Sequence, residues 1–187
     1  ELDPGDKYGL AKALLEPLRP WFRETGFHGP VQVTACRREG KWWVIEYNVR
    51  LGITCTPLVI GMLQNSLETL HNVARTQPLD IRFRKDRSFG CSITLAGYGY
   101  PYIQITGPKL PVTVSEPLDC DVWWNEIDAD KDGGLFMTGH RIADVVAYGS
   151  TMKQATEKAY QNISRIRCLS SYYRTDIGDT KWPPGTP

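Results

Sequence analysis

The sequence predicts an α+β fold in two regions, residues 1–85 and 86–187. Three observations carry this. Short period-two runs recur along the chain, as β-strands require. Three segments place apolar residues at helical spacing. In the second region several short strands follow one another and a single helix closes the series, which suggests a compact α+β domain.

Residues 8–25 read as helix, with Leu10, Leu14, Leu18 and Phe22 on one stripe. Pro17 and Pro20 should split it, and Gly26 is a natural stop. Val31–Ala35 alternates as a strand, and Arg38-Glu39-Gly40 turns the chain into a second one, Trp42–Gly52. At a period of two, Trp42, Val44, Glu46, Asn48 and Arg50 share one face, and Trp43, Ile45, Tyr47 and Val49 share the other. The first half is apolar on both faces, as in a strand covered on both sides. After Gly52, Thr56 is placed to cap a helix with Pro57 in its first turn, and Val59, Leu63, Leu67 and Leu70 form its stripe. The basic run Arg82–Arg87 reads as a solvated linker.

Further on, strands are expected at Cys91–Ala96, Tyr102–Thr106, Asp121–Ile127 and Arg141–Tyr148, separated by Gly and Pro turns such as Gly97–Pro101. Thr151 and Gln154 are spaced as a capping box ahead of a helix carrying Met152, Ala155, Ala159, Ile163 and Ile166. The tail from Asp179, with Pro183-Pro184-Gly185, reads as draped or disordered.

Composition excludes several classes. A net charge of +1 gives no footprint for nucleic acid or an acidic membrane surface, and no apolar run reaches spanning length. Five cysteines, odd in number and widely spaced, fit neither a zinc site nor a disulfide framework, so a cytoplasmic location is expected. His28, His71 and His140 have no metal-ligand spacing. Asp128–Gly133 resembles the start of a calcium loop, but Gly139 stands where the bidentate glutamate should be, and an acidic hairpin turn is the better reading. The tandem tryptophans at 42–43 and 123–124 read as core and surface partners across strands.

Glu46, Asn48 and Arg50 form the candidate site. Two hard oxygens suit magnesium, and a guanidinium two residues on can fork onto the phosphate that the cation also holds. An ordinary strand end with polar groups reaching water has the same spacing.

Glu46-Tyr47-Asn48-Val49-Arg50-Leu51-Gly52 resembles the Glu-Phe-Asn-Val-Arg-Phe-Gly strand of the phosphoribosylamine–glycine ligases, ATP-grasp enzymes of purine synthesis. Asp132-Gly133-Gly134-Leu135, Thr138–Ile142, Tyr148-Gly149, Glu157–Tyr160 and Tyr173–Gly178 are similar to later segments of that family, in the same order. The resemblance covers about 12 to 178 and only the family's C-terminal half. It implies the C-terminal part of an ATP-grasp domain followed by a small strand-rich α+β domain. It further implies Glu46 and Asn48 as ligands of Mg2+ (or Mn2+), and Arg50 as the ATP-phosphate contact and catalytic residue. The substrates implied are an amino acid and an amine. The partner implied is the N-terminal half that carries the adenine hinge and the glycine-rich flap.

One departure bears on substrate. The family continues Gly-Asp-Pro-Glu, whereas this chain reads Gly52-Ile53-Thr54-Cys55. A non-catalytic relative, kept for binding or assembly, is the alternative.

Overall fold

The structure is a computed structural model and describes residues 4–103, 107 and 109–178. By contacts the chain falls into two compact units. Among the described residues, one comprises 4–52 and 65–81, and the other comprises 53–64 and those from 82 to 178.

The first unit opens with helix α1 (Pro4–Leu14), a 3-10 turn at Glu16–Leu18 and helix α2 (Arg19–Thr25). The break falls at the prolines, each of which sits in the first turn of its segment, where its missing N–H costs nothing. Gly26 closes α2 in the left-handed region at φ 63°, as expected for a C-terminal glycine. Strands β1 (Gln32–Arg38) and β2 (Lys41–Asn48) form an antiparallel hairpin, turned by Glu39 and Gly40 at φ 51° and 75°. Helix α4 (Ser66–Ala74) belongs to this unit.

Two expectations about β2 fail. The strand is not covered on both sides, because Trp43, Val44 and Ile45 are 58%, 40% and 67% exposed in a two-stranded sheet. A bulge also breaks its parity. Thr34 pairs with Glu46 but Ala35 pairs with Val44, leaving Ile45 extra. Directly paired residues share a face, so Trp43 rather than Val44 lies on the side of Glu46 and Asn48.

Helix α3 (Cys55–Met62) groups with the second unit rather than with residues 1–52. Its N-cap is Thr54, not Thr56, and the chain breaks at Leu63–Asn65 instead of continuing as one helix. The break arises because Leu63 bridges Phe83, with Gln64 donating to the Arg82 carbonyl and Arg84 to that of Met62. The expected stripe is therefore not continuous, and Leu67 is 82% exposed.

The core of the second unit is the antiparallel sheet β3 (Phe89–Ala96), β8 (Arg141–Gly149) and β5 (Asp121–Trp124), with β8 central. In register, Cys91, Ile93 and Leu95 oppose Ala147, Val145 and Ala143. These residues face helix α5 (Met152–Ile163) through Ala155, Ala159 and Ile163, all fully buried. Each large aliphatic side chain so buried stabilises by about 1.5–3 kcal/mol. Thr151 caps α5 as expected, accepting from the Gln154 N–H, while the Gln154 side chain reaches back to the N–H of Ser150. A second sheet, ordered β6 (Ile127–Ala129), β7 (Leu135–Met137), β4 (Leu110–Val114) and β9 (Ile166–Cys168), adds Val112, Met137 and Ile166 to the same core.

Residues 128–134 form the β6–β7 hairpin turn. Asp130 Oδ1 accepts from the N–H groups of Asp132 and Gly134, which is turn chemistry. Gly97–Pro101 is a turn as expected. The strand expected at 102–106 is absent at Tyr102 and Ile103, and its remainder lies outside the described residues, as does the tail from Asp179. Trp123 and Trp124 are 44% and 37% exposed, so they are surface and not core residues. Among the described residues no helix is long and apolar enough to cross a membrane.

Candidate functional site

Glu46 and Asn48 end the β1–β2 ladder, opposite Thr34 and Gln32. Alternation places both on one face, and Glu46 is exposed while Asn48 is half-buried. Glu46 Oε1 lies 3.5 Å from Thr34 Oγ1, a distance that leaves the carboxylate available. Tyr47 points the other way and donates to the Leu14 carbonyl at 2.9 Å, tying the strand to the end of α1. Arg50 falls in a bend beyond the ladder, so strand parity does not place it. Its guanidinium is exposed and donates to the Leu51 carbonyl at 3.2 Å.

Among the described residues no cluster of three or more His, Cys, Asp or Glu could hold a metal by itself. One carboxylate and one carboxamide instead fit a cation that takes most of its oxygens from phosphate and water, as magnesium does.

In the second unit, α3 is clamped to the sheet. Tyr148 donates to the Pro57 carbonyl at 3.1 Å. Arg87 stacks 4.3 Å over the Tyr148 ring, donates to the Gly61 carbonyl at 3.1 Å and pairs with Asp121 at 3.2 Å. Arg87 is thus a half-buried anchor, and the solvated-linker reading of 82–87 fails for it. A Cβ at Gly61 would lie 1.9 Å from the Tyr148 hydroxyl, so the helix can approach this closely only with glycine there.

Other segments quoted for the resemblance also meet in space. Tyr160 of α5 donates to the Arg174 carbonyl at 3.0 Å and accepts from the Ile177 N–H at 2.9 Å, fixing the Tyr173–Gly178 turn. Arg174 forks onto Asp176 at 2.9 and 2.6 Å. Glu126 accepts from the Arg141 N–H at 2.7 Å, and a Cβ at Gly139 would stand 2.5 Å from the Glu126 carboxyl carbon. These residues build the scaffold. Sequence reading had no means of separating them from residues that touch a ligand.

The described residues form a mixed helix-and-sheet fold that solved structures share. A biotin carboxylase of Campylobacter jejuni, solved with a βγ-ATP, shares the fold at 15% identity and a TM-score of 0.53, over 95% of this chain and 39% of that one. Residues 90–180 match the phosphoribosylglycinamide synthetase C domain, and the chain is similar to phosphoribosylamine–glycine ligases. The Leifsonia xyli phosphoribosylamine–glycine ligase is 36% identical over 139 residues, 72% of this chain and 33% of that protein. The crystal structure of the Thermotoga maritima phosphoribosylamine–glycine ligase matches with a TM-score of 0.63 at 25% identity, over 79% of this chain and 36% of that one. The chain spans about a third of the length of the curated relatives it matches.

Proposed function

We propose that this chain is the C-terminal portion of an ATP-dependent carboxylate–amine ligase. It would act in the cytoplasm on an amino acid and an amine, together with the ATP-binding lobe its relatives carry. The observation that carries the reading is the pairing of Glu46 and Asn48 on one face at the end of β2, in a chain related to ligases. Glu46 and Asn48 would hold Mg2+ (or Mn2+). Bound there, the cation would neutralise phosphate charge during phosphoryl transfer. Arg50, exposed at the strand end, would contact the ATP phosphate. None of the three need move a proton; they orient and neutralise.

Ile53 favours a second reading. It is 42% exposed where the family it resembles has an aspartate, and Cys55 stands where that family has a glutamate. An aliphatic side chain cannot pair with an ammonium. Either the substrates have changed or catalysis has been lost, leaving a binding or assembly domain. Phosphate release by the protein joined to its ATP-binding lobe, measured with a panel of acids and amines, separates these. Release that depends on one acid–amine pair supports the ligase. No release with any pair, while ATP still binds, supports the non-catalytic relative.

A further inference from the structure

The β1–β2 hairpin has two unlike faces. On one, Val33 opposes Tyr47 and Ala35 opposes Val44, and the Tyr47 hydroxyl bonds to the end of α1. The other carries Thr34 opposite Glu46 and Gln32 opposite Asn48, the two pairs that end the ladder. Each of these four side chains bears an oxygen. Gln32 and Thr34 lie on β1, on the far side of the turn from the Glu46–Arg50 run.

Their surroundings differ. Thr34 Oγ1 lies 3.5 Å from Glu46 Oε1, so its hydroxyl faces the carboxylate. Gln32 stands across from the Asn48 carboxamide, and both are half-buried. Directly opposed residues of an antiparallel pair have Cβ atoms about 4.5–5.5 Å apart. Two carboxamide oxygens can converge from there on one cation that holds each at about 2.0–2.1 Å.

The donor count points the same way. Glu46 and Asn48 together offer at most three oxygens, whereas magnesium takes about six. Among the described residues no cluster of three or more His, Cys, Asp or Glu stands there, so further protein oxygens must be neutral ones. A carboxamide supplies a hard oxygen without the repulsion that a second carboxylate would set beside Glu46.

We infer that Gln32 is a third ligand of the divalent cation, its carboxamide oxygen joining those of Glu46 and Asn48. The inference rests on the metal reading of the β2 end and extends that site across the hairpin to β1. The strand register then sets the ligand spacing, and a slip of one residue would turn Gln32 to the opposite face.

Mn2+ titrated into this chain tests it, read by paramagnetic broadening of the Asn48 side-chain amide in NMR spectra, with no ATP present. In the wild type that signal should broaden saturably. Gln32→Ala should weaken Mn2+ binding about fivefold, as loss of one neutral contact requires. Gln32→Glu should tighten it about tenfold, because affinity at oxygen sites rises with ligand charge. A residue with only a packing role yields no such gain, so Gln32→Glu also decides the matter should Gln32→Ala fail to fold. If the wild type binds, unchanged affinity in Gln32→Ala or no gain in Gln32→Glu would overturn the role of Gln32 and leave Glu46 and Asn48 standing. No broadening at Asn48 in the wild type would overturn the metal assignment itself, and the role of Gln32 with it.

Discussion

Single residues set the chemistry the second unit can and cannot do. Burial, then the Asp119 and Asp121 carboxylates beside it, push the Cys120 thiol up to about 11. At pH 8 its thiolate fraction is then on the order of one in a thousand, which makes it a poor nucleophile. Labelling by a disulfide reagent at pH 8 should leave Cys120 unmodified while exposed Cys36 reacts; comparable rates would refute this. Asp119 shows the opposite shift. The Asn162 amide donating to it at 2.6 Å, and then Lys158, hold its carboxyl below the usual range. A depressed pKa in the folded state contributes stability above the unfolded value of about 3.9, and that stability is lost as pH falls through the folded value. Carboxyl NMR titration of Asn162→Ala should show the Asp119 pKa rising toward the ordinary range, and no rise would contradict the assignment of Asn162 as its main cause.

At the scale of elements, the clamp on α3 makes a non-additive prediction. Gly61→Ala forces a methyl against the Tyr148 hydroxyl and should cost about 1–3 kcal/mol. Tyr148→Phe removes the bond to Pro57 and should cost about 1 kcal/mol. The double variant should lose less than the sum, because the atom that clashes is the one removed. Urea unfolding measures all three, and strict additivity would mean that α3 relaxes away from the sheet. Such contacts between residues about 90 positions apart leave no mark in local sequence. The helices were legible where prolines, Gly26 and the Thr151 cap punctuate them. The long strands β3 and β8 were legible from their apolar runs. Strands β6, β7 and β9 were missed because three residues offer a single alternation, and β4 because Pro111 interrupts it. The bulge at Ile45 was hidden for a related reason: an extra residue shifts which side chains share a face without changing the composition of the run.

For the whole molecule, the family was legible because its residues recur in order, and the structure gives many of them a packing role. Glu46, Asn48 and Arg50 stand out in the sequence as candidates, but strand parity places only Glu46 and Asn48, since Arg50 lies beyond the ladder. Substrate choice belongs to this scale too. Losing one carboxylate partner of a bound ammonium costs about 2–5 kcal/mol, or roughly 30- to 4000-fold in affinity. The protein joined to its ATP-binding lobe should therefore use glycine and phosphoribosylamine poorly, and Ile53→Asp with Cys55→Glu should improve that use. Ordinary wild-type turnover on the pair would show the replacements to be tolerated. The central claim is that the end of β2 holds the metal on which any ligase activity depends. Its most direct test is phosphate release by Glu46→Gln, with the ATP-binding lobe present, across a magnesium titration. Turnover should fall about 100-fold or more at millimolar magnesium and recover in part only at much higher concentrations, as loss of a charged ligand requires. Wild-type turnover with an unchanged magnesium dependence would contradict it.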